Sequence, residues 1–173
     1  MQWYETIYEL IDMRSFSNLW FWIALAVQWS MASHYVLGVP FDLVVRARRL
    51  GGQAEDDLHT LARINVNRLL YIGHVSGMWI AGIAGFLLTG LVLLGFIYRI
   101  ELAQAVFCLV FPMMLLGLLS LRTARLIAAG DSEGPALQRR LMRHRMATQG
   151  IGMVAILLTS LWGMWQNLRI GPL

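Results

Sequence analysis

Leu69-Leu-Tyr-Ile-Gly-His-Val-Ser-Gly-Met-Trp-Ile-Ala-Gly-Ile-Ala-Gly-Phe-Leu-Leu-Thr-Gly-Leu-Val-Leu-Leu-Gly-Phe-Ile-Tyr98 contains no acid and no arginine from end to end. About 20 apolar residues in a helix cross the roughly 30 Å of hydrocarbon in a bilayer. The stretch therefore reads as a transmembrane helix, and working outward from it finds three more. No charge occurs between Arg14 and Asp42, which gives a span over 15–38. Leu102 to Leu121 and Met146 to Leu168 are equally free of charge, giving spans over 102–121 and 146–168. The fold class is all-α: a polytopic membrane protein, a four-transmembrane-helix bundle in a single domain covering 1–173.

Composition agrees. Hydrophobic residues make up 58% of the chain and charged residues 14%, against about 25% charged in soluble domains. Mean hydropathy is +0.60. All basic side chains are arginine; there is no lysine, a bias that suits a GC-rich bacterial genome. Cys108 is the single cysteine. It excludes an internal disulfide and a multi-cysteine cluster site within one chain.

The connections between the spans are patterned. Glu5, Glu9 and Asp12 precede the first span, with only Arg14 opposing them; a cleaved signal peptide needs a basic start. Residues 1–14 read instead as an interfacial amphipathic helix with Trp3, Ile7, Leu10 and Ile11 on one face. Pro40 turns the chain after the first span. Residues 41–50 form a basic amphipathic stretch broken by Gly51 and Gly52. A helix begins near Gln53, with Glu55, Asp56 and Asp57 in its first turn where the helix dipole favours negative charge. It is expected to run uninterrupted into the span over 69–98. Arg99 and Glu101 mark a tight turn, so the second and third spans are antiparallel neighbours. A polar break at 130–135 ends with Pro135, suited to start a helix.

The arginines set the orientation. The loop over 39–68 holds Arg46, Arg48, Arg49, Arg63 and Arg68; the loop over 122–145 holds Arg122, Arg125, Arg139, Arg140, Arg143 and Arg145. Only Arg14, Arg99 and Arg169 lie on the other side. Positive loops stay inside, so both long loops are predicted to be cytoplasmic and both termini periplasmic, in a bacterial inner membrane. The same distribution accounts for the net charge of +4 without nucleic acid.

Three features bear on function. Gly73, Gly77, Ala81 and Gly85 recur every four residues, a stripe that lets helices approach closely; it serves packing inside the bundle, self-association or another membrane subunit. His34, His74 and His144 fall at similar depth near the cytoplasmic side, where histidines on facing helices are able to ligate haem b or a metal. Set against this is an interfacial role, because no spacing motif joins them; His59 reads as solvated. Arg139, Arg140, Arg143 and Arg145 suit anionic lipid headgroups or an acidic partner. No span carries a charge at its centre, which disfavours proton-coupled or charged-substrate transport. Neither a nucleotide-binding glycine loop nor a nucleophile elbow is present.

The runs Ile11-Asp-Met-Arg-Ser-Phe-Ser-Asn-Leu-Trp20, Ser33-His-Tyr-Val-Leu-Gly-Val-Pro-Phe-Asp42 and Arg63-Ile-Asn-Val-Asn-Arg-Leu-Leu-Tyr-Ile-Gly73 resemble a small family of four-span membrane proteins of alphaproteobacteria. The likeness covers most of the chain. That family is often labelled a component of the SufBCD complex, a cytoplasmic iron–sulfur assembly scaffold, and the resemblance implies a membrane anchor for such machinery. It supplies no catalytic residues. The sequence thus predicts a non-enzymatic accessory or assembly subunit with no catalytic group and no resident metal. A haem b or metal subunit using His34, His74 and His144 is the alternative.

Overall fold

Asn18 is extended (φ −85°, ψ 124°), and its side-chain oxygen accepts the Trp20 N–H at 2.9 Å. This N-cap geometry satisfies a donor that a helix start leaves free. Helix α1 (Leu19–His34) follows, behind a 3₁₀ turn at Ser15–Ser17. These are the first elements of a computed structural model that describes residues 15–170; the helix expected over 1–14 lies outside the described residues.

After α1 the chain folds on itself in a minimal antiparallel pair, β1 (Tyr35–Val36) and β2 (Val39–Pro40), with Val36 opposite Val39. The turn residues Leu37 (φ 52°) and Gly38 (φ 76°) both have positive φ, the backbone twist that two-residue hairpins favour. Helices α2 (Phe41–Leu50) and α3 (Gln53–Val75) flank the Gly51–Gly52 break. Glu55 and Asp56 occupy the first turn of α3.

The uninterrupted helix expected from Gln53 to Tyr98 is two helices. Ser76 (φ −114°, ψ 2°) separates α3 from α4 (Gly77–Val92). A Ser–Gly pair is a common place for a helix to kink, since neither residue holds the helical conformation strongly. The end of α4 widens into a π-helical turn at Leu93–Ile97. Arg99 (φ 58°) reverses the chain into α5 (Glu101–Ala129), and α6 (Gly134–Ile170) returns after a short polar loop.

Among the described residues the protein is all-helical, and three segments are long and apolar enough to cross a membrane: Gly77–Ile97, Glu101–Ala129 and Gly134–Leu168. The fourth apolar helix, α1, has sixteen residues, about 24 Å at 1.5 Å per residue.

Burial is concentrated at one end. Val36, Val39, Leu43, Val44, Ala47, Leu58, Ala62, Val66, Ala124, Ile127, Leu137 and Leu141 form one core, drawn from the hairpin, α2, the first half of α3, the end of α5 and the start of α6. The two segments read from sequence as loops are therefore a packed helical cap. Taking a Leu or Val side chain out of water contributes roughly 1.5–3 kcal/mol, and Leu58, Leu137 and Leu141 are fully buried. Away from the cap, α1 lies along α6: Leu25 and Trp29 pack with Ala155, while Phe16 and Phe21 pack with Ala105 of α5. By contrast α4 exposes Met78, Trp79, Ile83 and Phe86, as a helix with lipid on most sides does.

Candidate functional site

Helix α2 buries Leu43, Val44 and Ala47, a stripe spaced three and four apart, and so turns Arg48 and Arg49 outward. The start of α6 does the same: Leu137 and Leu141 enter the core, leaving Arg139 and Arg143 one turn apart on an exposed face. Where the two helices meet, a groove of about 740 Å³ opens. Val44, Val45, Pro135 and Met142 form its apolar floor; Arg48, Arg49, Arg139 and Arg143 surround it, with Gln138. No Asp or Glu lines it, and none of the four arginines forms an ion pair among the described residues. Guanidinium groups stay protonated at any physiological pH. Four in one groove repel each other and favour an external anion.

The structure divides the expected set Arg139, Arg140, Arg143 and Arg145. Arg140 is engaged elsewhere, donating from Nε to Asp131 Oδ2 at 2.7 Å with a second contact from its terminal nitrogen. Arg145 lies over the Phe41 ring, 3.5 Å from its centre, a cation–π contact, and faces a separate depression with His34. Only Arg139 and Arg143 enter the groove. Their i, i+4 spacing already put them on one face of a helix; that Arg48 and Arg49 complete the set depends on the α2–α6 contact, which no local pattern reveals.

The histidines part company. His34 and His74 are exposed. His144 is 5% exposed, held between α5 and α6. Its Nδ1 lies 3.0 Å from Thr123 Oγ1, and that hydroxyl donates to the Leu119 carbonyl at 2.9 Å. With its proton used, Thr123 accepts, so Nδ1 of His144 carries the hydrogen. Ser120 Oγ likewise donates to Leu116 O and sits 3.5 Å from Nε2. His144 thus joins two helices. No group of three or more His, Cys, Asp or Glu side chains among the described residues is placed to hold a metal. His59, expected in solvent, is half-buried: its Nε2 accepts the Gly134 N–H at 2.9 Å and lies 3.9 Å from Glu55 Oε1, fixing the start of α6 to α3.

The small-residue stripe also divides. A Cβ at Gly73 would meet Leu121 Cδ1 at 3.0 Å, so Gly73 serves packing between α3 and α5. Gly77 and Gly85 have nothing within 4 Å, and Ala81 is exposed. These three lie beyond the Ser76 kink, on a side of α4 with no close neighbour among the described residues.

At the opposite end, sequence reasoning missed Gln104. It is 3% exposed and donates from Nε2 to the Gly95 carbonyl at 2.7 Å. Its Oε1 accepts from Trp162 Nε1 at 3.0 Å and from Gln166 Nε2. One amide thus joins α4, α5 and α6. A lone Gln in an otherwise apolar span was the available signal. Nearby, Glu101 Oε1 accepts the Phe16 N–H at 2.8 Å and holds the turn that leads into α1.

No protein-family model, no curated protein and no solved structure matches this chain.

Proposed function

We propose that this chain is a non-enzymatic subunit of a bacterial inner membrane that crosses the bilayer four times and works by holding other proteins and lipids. The observation that carries the proposal is the α2–α6 groove: four arginines without a counter-charge among the described residues, set on a packed helical cap. The buried polar side chains Gln104, Thr123 and His144 spend their hydrogen bonds joining helices, which supports a structural part for them.

Four crossings are supported by the placement of α1 against α6, where the Trp29 indole lies on Gly152 and Phe16 on Gly163. A helix of about 24 Å suits a locally thinned bilayer, at a cost of fractions of a kcal/mol per Å of mismatch. The arginine bias supports a cytoplasmic cap and periplasmic termini. The family resemblance makes the SufBCD scaffold one candidate partner, with the exposed face of the cap as its contact.

Purification in a mild detergent followed by native mass spectrometry tests this reading. A complex with a defined second subunit, or a defined oligomer, is expected. A strictly monomeric species with no co-purifying protein ends it.

A further inference from the structure

We propose that the α2–α6 groove binds the phosphate of an anionic phospholipid, with the glycerol and first methylene groups resting on Val45 and Met142. The inference rests on the membrane reading above and names a ligand for one face of the cap. Three observations carry it.

The first is charge without compensation. Arg48 and Arg49 of α2 and Arg139 and Arg143 of α6 line one groove, and no acid lines it. Asp42 lines an adjoining depression with Arg46 and Arg49 and forms no ion pair among the described residues. Guanidinium forks match phosphate oxygens in pairs, a geometry that also gives selectivity over a point charge.

The second is height. The charge-free part of α6 begins at Met146. Along the helix Arg143 is about 4.5 Å from it and Arg139 about 10 Å, at 1.5 Å per residue. The polar layer of a bilayer is roughly 5–8 Å deep on each side. Arg143 therefore stands at about the height of the lipid phosphates, and Arg139 lies one turn farther out, just beyond that layer.

The third is the mixture of surfaces. An apolar floor inside a ring of arginines suits a molecule with a phosphate at one end and hydrocarbon at the other. Leu50, 75% exposed at the end of α2, extends the apolar surface from the same helix, as in helices that settle into the interface. An acidic peptide or free phosphate would use the arginines and leave this floor unmatched.

The test is native mass spectrometry of the full chain in mild detergent, titrated with phosphatidylglycerol or phosphatidylcholine. Thermal unfolding is followed in parallel. A saturable phosphatidylglycerol adduct is expected, at least tenfold preferred over phosphatidylcholine. Arg139→Gln with Arg143→Gln, or Arg48→Gln with Arg49→Gln, is expected to weaken it at least tenfold. Arg122→Gln with Arg125→Gln, on α5 and outside the groove, is expected to leave it unchanged. Equal uptake of the two lipids, an equal loss in the α5 pair, or equal thermal protection by inorganic phosphate alone overturns the proposal. So does an acidic protein found in the groove in place of lipid.

Should the Gln pairs fail to fold, a photoactivatable phosphatidylglycerol applied to the unaltered chain decides instead. Cross-links at Val45 or Met142 support the site, and cross-links confined to other segments overturn it. A monomer that retains the lipid ends the association reading and leaves the groove. A defined complex without lipid preference does the reverse.

Discussion

The Trp29 indole lies directly over the backbone of Gly152, where a Cβ would fall 2.8 Å from ring carbon Cε3. The contact seats α1 against α6 with no side chain between them. Gly152→Ala gains helix propensity of about 1 kcal/mol, but a rigid ring cannot retreat as a flexible side chain does, and overpacking costs about 1–3 kcal/mol. Net destabilisation is expected, read as a lower unfolding temperature in detergent. Trp29→Ala in the same chain is expected to make the alanine at 152 harmless. If Gly152→Ala alone raises stability, the close approach is wrong.

Gln104 joins three helices through one amide, so its replacement should be costly in proportion. Gln104→Leu leaves the Gly95 carbonyl, the Trp162 indole N–H and the Gln166 amide without their partner. Hydrogen bonds between membrane helices average about 0.6 kcal/mol in double-mutant cycles, and orphaned buried groups cost about 1–3 kcal/mol each. A loss of about 2 kcal/mol is expected. A shift in Trp162 fluorescence should accompany it, which a general loosening elsewhere would not produce.

The part of the glycine stripe beyond Ser76 is open. Leu at both Gly77 and Gly85 is expected to leave the unfolding temperature within a few degrees of the unaltered chain, because a side chain there would start from a Cβ in open space. If α4 is the face that receives another subunit, the same substitutions should remove the co-purifying complex. An unfolded double variant would show that the stripe is internal after all.

Topology is open to direct labelling. In a chain carrying Cys108→Ala, a cysteine at position 167 is expected to react with an impermeant maleimide on intact spheroplasts, and one at position 50 only after permeabilisation. Asn167 and Leu50 are both exposed, at opposite ends of the molecule. The reverse pattern would invert the orientation, and labelling of both from outside would remove it.

Charge and apolar run length made most of the helical plan legible. The starts of α3 and α5 at Gln53 and Glu101, the Arg99 reversal and the break before Pro135 all follow from local chemistry that the fold keeps. The kink at Ser76 did not stand out, because an apolar run on both sides of a Ser–Gly pair looks continuous when only hydropathy is counted. The length of α1 was overread for the same reason: apolar residues 35–39 belong to the β1–β2 hairpin, whose positive-φ Leu37 has no sequence signature. The functional candidates fared less evenly. Helical spacing separates Arg139 and Arg143 from Arg140, but pairing of Arg140 with Asp131, and of Arg139 and Arg143 with α2, are tertiary facts. His144 was noticed for its chemistry and turned out to sit in a helix joint; Gln104, which does more joining, was passed over because an amide in a span lacks a motif.

The cap core has a consequence for how the protein is made. Its two contributions, residues 36–66 and 124–141, are separated in the chain by α4 and most of α5. On the membrane-spanning reading proposed above, they meet only once the α4–α5 hairpin has entered the bilayer and returned. Until then Leu58, Leu137 and Leu141 have no partners across the joint and remain a sticky surface in water. On that reading the finished cap is a certificate of insertion: a chain that shows those leucines to chaperones or proteases is one whose central hairpin has not gone in.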